Sequence, residues 1–381
     1  MIQSKEPAGI YIHIPFCLKK CNYCAFLSGT STEAERETYV EALLQEIRLR
    51  KREVPLADTL YFGGGTPSLL TAEQICRIIE GVKESFDLTS DAEITLEANP
   101  ATLTREKLEG YRAAGVNRLS MGVQSMDDRR LQYLGRIHTA EDAVKEFRMA
   151  RATGFDNINL DLIFAVPGTH LSDVMEDLQG ITALQPEHIS FYSLQLEEGT
   201  PFFRKFEEGS LTEVPDDEDR EMYHQGCRFL ASQGYEHYEI SNFAKPGRAS
   251  RHNSKYWSMT EYVGLGLGAS SYVNHCRMEN LSDMKEYLEA VRSDQKPFET
   301  MYSNSERDDV AEAVFTGLRR REGIRFRDIL GSQEEFFRYY AEEKGEILGF
   351  CEGGYLEVTD DGMRLTEKGI DISNRIMALF V

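Results

Sequence analysis

The first half of the chain alternates short β-type runs with amphipathic helical runs, and this alternation limits the fold more than any other feature. Within 32–52, for example, Val40, Leu43 and Ile47 have the spacing of residues on one face of a helix. Strands that alternate with helices usually pair in parallel, with each helix as the crossover. The pattern therefore predicts an α/β protein, either an open doubly wound sheet or a partial barrel. In both folds the functional loops lie at the C-terminal ends of the strands.

The predicted elements divide the chain into three regions. The predicted strands are 10–14, 59–62, 93–96, 118–123, 158–164 and 188–194, and the predicted helices are 32–52, 72–85, 105–114, 140–153 and 171–184. The alternation ends at 207–219, whose Gly, Pro and acidic residues are typical of a linker. A helix over 220–233, a Gly-rich stretch and a second predicted linker over 293–305 follow. We therefore expect domains at 1–206, 207–300 and 301–381.

The C-terminal domain, 301–381, is predicted to be mainly helical. A hairpin is expected over 355–365, around the turn Asp360-Asp361-Gly362, and a closing helix over 367–380. Helices followed by a hairpin are typical of a winged-helix module, a class that often binds DNA. Residues 302–381 contain 11 basic and 17 acidic side chains, a net charge of −6. A docking or scaffolding role is therefore the better prediction for this domain.

Charge and hydropathy exclude several classes of function. The chain carries 43 Lys and Arg against 64 Asp and Glu, a formal net charge of −21. Binding to nucleic acid without sequence preference needs clustered basic residues, so nucleic acid is not expected as a partner. No apolar run approaches the roughly 18 residues of a membrane span, and residues 1–9 lack the pattern of a signal peptide. We expect a soluble, cytoplasmic protein.

The cysteines are unevenly distributed. Cys17, Cys21 and Cys24 form a CxxxCxxC spacing in the loop after the first predicted strand. Three close thiolates can hold three irons of a 4Fe–4S cluster and leave the fourth iron open to a chelating ligand. Zinc would need a fourth ligand, and no His or Cys follows at a suitable spacing. Three core cysteines at this spacing by chance are the alternative, which the hydrophilic loop disfavours. No shared role is predicted for Cys76, Cys227, Cys276 and Cys351.

The segment Tyr11-Ile-His-Ile-Pro-Phe-Cys17 resembles the opening of the radical S-adenosylmethionine (SAM) family. The resemblance continues over nearly the whole chain, and it is to the branch that contains oxygen-independent coproporphyrinogen III oxidases and the HemW haem chaperones. It implies a partial (β/α)6 TIM-like barrel and a 4Fe–4S cluster on the three cysteines. It also implies that the open iron chelates the amino and carboxylate groups of SAM, which the reduced cluster cleaves to a 5′-deoxyadenosyl radical.

Residues at the predicted strand ends resemble the SAM site of the family. Gly63-Gly64-Gly65-Thr66-Pro67 follows the second strand, and its backbone can approach the methionine end of SAM; no Gly-Lys-Ser/Thr follows, which disfavours a phosphate loop. Carboxylates and amides at strand ends can accept hydrogen bonds from ribose hydroxyls and the ammonium group. Singly, each such residue is as well explained by a strand-end cap or an ion pair. The resemblance assigns to SAM the residues Tyr11, Tyr23, Gly64, Gly65, Thr66, Glu97, Gln124, Arg136 and Asp161.

Three features favour the chaperone over the oxidase. Phe26 stands where the oxidase-type motif has a further cysteine, and sixteen residues precede the first cysteine, where the oxidases have a long extension. His252-Asn253-Ser-Lys-Tyr256-Trp257 matches the HNxxYW signature of the HemW branch. Histidine is a common axial ligand of haem iron, and the resemblance assigns these four named residues to haem. The alternative is that His252 and Asn253 satisfy backbone groups while the aromatic rings fill core.

Three further positions receive no single role. His13 is either a residue that supports the cluster or SAM through a hydrogen bond or a plain strand-end histidine. In the Gly-rich stretch 264–271, some relatives have Cys at the position of Leu267 and His at that of Ser270, so no ligand role is predicted there.

The resemblance implies a haem chaperone that binds haem and transfers it to haem-dependent proteins. A low-potential electron donor, such as a flavodoxin or ferredoxin, is the further partner that the cluster implies. The first alternative is oxidative decarboxylation of coproporphyrinogen III in porphyrin biosynthesis. The second is RNA modification, which needs a basic surface and is disfavoured by the charge. The sequence leaves open a homodimer and peripheral docking on a membrane.

Overall fold

Six parallel strands, paired in chain order, form the centre of the computed structural model, which describes residues 6–381. Residues 1–5, at the start of the first predicted domain, lie outside the described residues. The strands are β1 (Ala8–Ile14), β2 (Ala57–Gly64), β3 (Leu88–Ala98), β4 (Arg118–Gln124), β5 (Ile158–Phe164) and β6 (His188–Ser193). The accompanying helices are α1 (Glu33–Leu49), α2 (Ala72–Ser85), α3 (Arg105–Ala114), α4 (Asp128–Leu134), α5 (Ala140–Ala152), α6 (Leu171–Ala183) and α7 (Pro201–Glu207). The α/β fold with a partial (β/α)6 barrel is confirmed.

The crossover helices begin where the sequence provides caps. The hydroxyl oxygens of Thr32, Thr71 and Thr139 each accept a hydrogen bond from a backbone N–H three residues later, and the side chain of that residue accepts one in return. This reciprocal capping box satisfies backbone donors that the first helical turn leaves free. The helices therefore begin within a residue or two of their predicted starts.

Alternate residues of the strands face opposite sides of the sheet. In β1, Ile10 and Ile12 are fully buried in the main hydrophobic core, together with Leu43 of α1. Tyr11 faces the other side, where its ring stacks on that of Tyr61 of β2, with the ring centres 6.3 Å apart. We call this inner space, enclosed by the parallel strands, the lumen.

Six further strands extend the sheet in the part of the chain where the sequence predicted no strands, only a Gly-rich stretch and a linker. They are β7 (Glu236–Glu239), β8 (Asn242–Ala244), β9 (Tyr262–Leu265), β10 (Ser270–Val273), β11 (Cys276–Asn280) and β12 (Phe298–Ser303). The sheet order is β12-β11-β10-β9-β1-β2-β3-β4-β5-β6-β8-β7, and β9 pairs in parallel with β1. The expectation of a linker over 293–305 is wrong, because β12 pairs there with β11. The helices of this region are α8 (Asp216–Ser232), α9 (Arg251–Trp257) and α10 (Met284–Arg292).

The C-terminal region has the predicted helices and hairpin. Its elements are α11 (Glu306–Gly317), β13 (Ile324–Arg325), α12 (Phe326–Ile329), α13 (Gln333–Tyr339), α14 (Lys344–Glu352), β14 (Leu356–Val358), β15 (Gly362–Leu365), α15 (Glu367–Ile370) and α16 (Ser373–Met377). The winged-helix-like hairpin β14–β15 gains a third strand, β13, and the closing helix is divided into α15 and α16. The boundaries at 206 and 300 stay a prediction. Among residues 6–381 no helix is long and apolar enough to cross a membrane.

Candidate functional site

The loop between β1 and α1 brings the three clustered cysteines to the C-terminal end of the strands. Cys17, Cys21 and Cys24 all line one cavity of about 630 Å³, which we call the cysteine cavity. The loop is closed at its base, where the Cys17 N–H donates to the carbonyl oxygen of Gly29 at 2.8 Å. At its tip the Asn22 N–H donates to the carbonyl oxygen that ends α4, at 3.0 Å. Backbone hydrogen bonds at the base and at the tip of the loop therefore hold the cysteines in place.

Two glycines at the end of β2 allow the chain to approach this loop. A Cβ atom at Gly65 would lie 2.6 Å from the carbonyl oxygen of Phe16, and one at Gly64 would lie 2.5 Å from the ring of His13. Gly64 also has φ = +106°, a backbone conformation that residues other than glycine rarely adopt. The Gly65 N–H donates to the carbonyl oxygen of Ile14 at 2.8 Å. The glycine run is thus required by close packing beside the cysteine loop.

The residues around the thiols fit a cluster held by three thiolates. Arg136 donates from Nη1 to Cys21 Sγ at 3.4 Å, and the hydroxyl of Thr66 donates to Cys17 Sγ at 3.6 Å. Burial, followed by a smaller effect of the other two thiols, raises the pKa of Cys24. The buried Arg136 Nε has no hydrogen-bond partner among the described residues. This guanidinium can therefore still donate a hydrogen bond to an anionic group. No three His, Cys, Asp or Glu side chains in 6–381 converge as ligands of one metal ion, whereas a cluster binds each thiolate to a different iron.

Glu97 ends the inner face of β3 and forms one wall of the cysteine cavity. Its Oε1 accepts a hydrogen bond from the hydroxyl of Tyr61 at 2.8 Å, and its Oε2 accepts one from the Gly64 N–H at 3.2 Å. Burial raises the pKa of Glu97 to about 7, and the nearby carboxylate of Asp161 contributes to the rise. A cationic or hydroxyl-bearing ligand would therefore stabilise the ionised carboxylate of Glu97.

Gln124 at the end of β4, Asp161 within β5 and Arg136 in the loop between α4 and α5 complete the inner wall. Burial raises the pKa of Asp161, and Asn159 donates to its Oδ1 at 2.6 Å. Gln124 has φ = +72°, a backbone strain of the kind found at functional sites. Arg136 donates from Nη2 to the carbonyl oxygen of Gly122 at 2.6 Å. These polar groups converge on one cavity, as the strand-end positions predicted.

Tyr23 and Thr66 also line the cysteine cavity, so it contains all the residues predicted to bind SAM except Tyr11. Tyr11 lies deeper in the lumen, where its hydroxyl bonds to His13 Nδ1 at 3.0 Å. His13 Nε2 in turn bonds to the carbonyl oxygen of Leu27 at 2.9 Å, after the last cysteine. Direct contact with SAM does not fit Tyr11 here, and His13 anchors the cysteine loop.

Asn99 is a residue of the cysteine cavity that the sequence motifs did not indicate. Its amide nitrogen donates to the hydroxyl of Thr66 at 2.7 Å, and its Oδ1 accepts a hydrogen bond from Arg136. Asn99 follows Glu97 by two residues, and that spacing could have identified it, since residues two apart on a strand share a face.

The HNxxYW segment lies elsewhere, because none of its four predicted haem residues lines the cysteine cavity. It forms α9, which Ser250 caps through a hydrogen bond from the Asn253 N–H at 3.3 Å. The guanidinium of Arg319 covers the ring of Trp257 at 4.5 Å. The buried Nε1 of Trp257 has no hydrogen-bond partner among the described residues. Trp257 therefore joins α9 to the chain just after α11.

His252 is buried, with 1% of its surface exposed. Its Nδ1 bonds to the hydroxyl of Thr59 at 2.7 Å, and its Nε2 bonds to the hydroxyl of Tyr256 at 2.9 Å. Burial, with smaller effects of Lys255 and Arg118, lowers the pKa of His252 to about 3, so the ring is neutral. Both ring nitrogens are occupied, and ligation of haem iron by His252 does not fit this arrangement. The assignment of the four HNxxYW residues to haem stays a prediction.

Comparison with known proteins identifies the family. Residues 11–180 match the Radical SAM superfamily, and residues 304–372 match the HemN C-terminal domain. The chain is 34% identical to the protein named heme chaperone HemW of Lactococcus lactis over 99% of this chain and 98% of that protein. It is also 34% identical to the protein of the same name from Bacillus subtilis, over 97% of this chain and 98% of that protein. The chain belongs to the HemW family.

A solved structure supports the fold of this HemW-family chain. Coproporphyrinogen III oxidase (HemN) from Escherichia coli, described as a radical SAM enzyme, superposes with a TM-score of 0.85 and 26% sequence identity. The superposition covers 98% of this chain and 90% of that one. Membership of the radical SAM superfamily implies a 4Fe–4S cluster and SAM as cofactors, and HemW relatives are named for haem.

Phe26 of the HemW-family chain lies at the rim of the cysteine cavity, two residues after the third cysteine, and is 66% exposed. The oxidase-type motif resembled by the loop has a further cysteine at this position. The difference therefore replaces a polarizable thiol with an exposed apolar ring at the mouth of the cavity.

Proposed function

We propose that the protein is a haem chaperone that binds a 4Fe–4S cluster and SAM, binds haem, and transfers haem to haem-dependent proteins. The observation that carries the proposal is the match to HemW proteins over nearly the whole length of both chains. The cysteine cavity supports it, since the three thiols and the convergent polar groups lie in one space. Ligation of the haem iron is not assigned to His252, because both of its ring nitrogens are engaged in hydrogen bonds.

Within the cysteine cavity we assign the cluster to Cys17, Cys21 and Cys24. When bound, the cluster supplies a low-potential electron and an open iron site. Arg136 offsets the negative charge of the thiolates from the side of Cys21. The two glycines after β2 bring backbone to the loop without side-chain obstruction.

We assign the remaining cavity residues to SAM. Glu97 and Asp161 are buried carboxylates whose raised pKa values reflect the poor solvation of their charge by the protein alone. The ammonium and sulfonium groups of SAM would supply the missing positive charge. Gln124 and Tyr23 offer hydrogen-bonding groups on the same wall, and Thr66 holds the glycine turn beside the first cysteine.

The partners follow from this assignment. Lys19 and Lys20 are exposed on the cysteine loop of a chain with net charge −21. An acidic electron donor of the flavodoxin or ferredoxin type would find local positive charge there. We further propose a cytoplasmic location, from the charged composition of the chain, and a haem-requiring protein as recipient, from the similarity to proteins named heme chaperones.

Coproporphyrinogen III oxidation is the second candidate function. It is favoured by the superposition on the Escherichia coli oxidase over 98% of this chain. The exposed Phe26 at the position of the additional oxidase cysteine argues against it.

A paired assay on one anaerobic, reconstituted preparation tests the proposal. We expect a Soret band on haem titration, haem transfer to an apo-haem protein, and no turnover of coproporphyrinogen III with dithionite and SAM. Formation of protoporphyrinogen would overturn the choice of chaperone over oxidase, and so would absence of haem binding. For the cluster assignment, Cys17→Ala is expected to lose the iron of the cluster, whereas the control Cys76→Ala, outside the cysteine cavity, keeps it.

A further inference from the structure

Helix α9 closes the lumen at the end opposite the cysteine cavity. Gly9, Thr59 and Glu93 pair in register across β1, β2 and β3, below the residues that line the cavity. A Cβ atom at Gly9 would lie 3.1 Å from the His252 ring, so the glycine leaves room for the helix. Glu93 accepts a hydrogen bond from the His252 N–H at 3.1 Å, and Thr59 bonds to its Nδ1. His252 therefore forms part of the floor of the lumen.

The His252 ring lies against the ring of Tyr61. The ring centres are 5.1 Å apart and the planes are 23° from parallel. The hydroxyl at the other end of Tyr61 donates to Glu97 Oε1 at 2.8 Å. Tyr61 thus spans the distance from the floor of the lumen to the wall of the cysteine cavity.

The ring of Tyr61 has close neighbours in the rings of Tyr11 and His252 and in the backbone of Gly63. A Cβ atom at Gly63 would lie 2.9 Å from the ring of Tyr11, 3.0 Å from that of Tyr61 and 3.2 Å from Glu97 Oε1. Tyr11 stacks on Tyr61 from one side and lies 6.4 Å from the His252 ring. Because the rings are in contact, the orientation of His252 sets that of Tyr61.

We propose that His252 is a positioning residue for SAM binding: it fixes the ring of Tyr61, and Tyr61 fixes the carboxylate of Glu97 at the wall of the cysteine cavity. The inference rests on the proposed SAM site. In this proposal the His of the HNxxYW signature orients residues of the SAM site from the floor of the lumen and does not ligate haem iron. The hydroxyls of Thr59 and Tyr256 hold the ring in the required plane.

The test compares SAM and haem binding in anaerobically reconstituted protein. His252→Ala and Tyr61→Phe are each expected to raise the Kd for SAM by about tenfold, the effect of losing one hydrogen bond to a charged group. In the double variant the Kd rises no further than in Tyr61→Phe alone, because both act on one hydrogen bond. The Soret band and haem stoichiometry stay unchanged in His252→Ala.

The pH dependence of SAM binding gives a readout that general destabilisation would not move. Tyr61 stabilises the ionised form of Glu97, which also faces Asp161 and Arg118. Both single variants are therefore expected to shift the midpoint of SAM binding to higher pH. The matched control is His237→Ala, which removes another stacked and hydrogen-bonded histidine whose ring lies on Phe243. It is expected to leave the Kd and the pH midpoint unchanged.

Several outcomes would overturn the inference. These are an unchanged Kd for SAM in His252→Ala, additive effects in the double variant, or loss of the Soret band from His252→Ala with SAM binding intact. If His252→Ala does not fold, Thr59→Val and Tyr256→Phe each remove one bond to the ring, and an unchanged Kd in both overturns it as well. Wild-type protein that binds SAM but not haem would refute the chaperone proposal alone, and the SAM measurements would still decide the role of His252.

Discussion

Replacing Glu97 with Gln is expected to stabilise the SAM-free protein at high pH. Burial raises the pKa of Glu97 from 4.5 to about 7, so the folded chain binds this proton more tightly than the unfolded chain. The free energy of unfolding therefore falls as the pH rises from about 4.5 to about 7, because Glu97 must ionise in a buried position. At pH values above about 7 the ionised carboxylate lowers the free energy of unfolding by about 3 kcal/mol. Gln carries no charge and avoids this loss.

Urea unfolding of the SAM-free protein at about pH 5 and about pH 8 measures this difference. The free energy of unfolding of Glu97→Gln, relative to wild type, should rise by about 2.5 kcal/mol between the two pH values. Any cost of the altered hydrogen bonds to Tyr61 and Gly64 is the same at both pH values and cancels. Glu342→Gln, which changes an exposed side chain, is the matched control and should show no such rise. A constant difference for Glu97→Gln would refute the buried-carboxylate reasoning.

Two other changes test the cysteine loop and the core. Gly65→Ala places a Cβ 2.6 Å from the Phe16 carbonyl oxygen and should displace the loop, which lowers the iron bound per chain on reconstitution; Gly345→Ala, where a Cβ meets nothing within 4 Å, should not. Equal iron contents would contradict the close-packing argument. Arg50→Met removes the cation from a fully buried pair and should cost about 3–5 kcal/mol in urea unfolding. The more exposed pairs of Arg77 make Arg77→Met the control, at less than about 1 kcal/mol.

The parallel strands and the cysteine cavity could be predicted because local signals determine them. Runs of apolar residues indicated β1 to β6, and polar residues at their C-terminal ends meet in one cavity, as parallel strands require. Tyr11 is the exception, because the family resemblance assigned it to SAM and it does not line the cavity. It lies in β1, three residues before the end of the strand, so its side chain sits below the loop that carries Cys17.

The strands β7 to β12 could not be predicted, because they are short and their pairing partners are distant in sequence. β9, for example, pairs with β1, more than 250 residues earlier. The residues 298–303 of β12 are mostly exposed and show no clear apolar alternation. Edge strands of this kind depend on a neighbouring strand and carry little local signal.

The burial of His252 likewise could not be predicted from the local sequence. A histidine followed by aromatic residues suits either a haem pocket or a packed core, and the choice depends on Thr59 and Tyr61, which lie on another element. Of the four signature residues the structure buries only His252, and the other three are half-buried.

The floor formed by α9 also sets an order for folding during synthesis. The hydrogen bond between His252 and Thr59 joins residues 193 apart, and that between Lys255 and Pro7 joins residues 248 apart. All six parallel strands leave the ribosome before α9 does, so a nascent barrel lacks the helix that closes its base. Contacts of such long range form late and slowly. Ribosome-bound chains that end before residue 251 should therefore be the form of this protein most exposed to aggregation and to proteases.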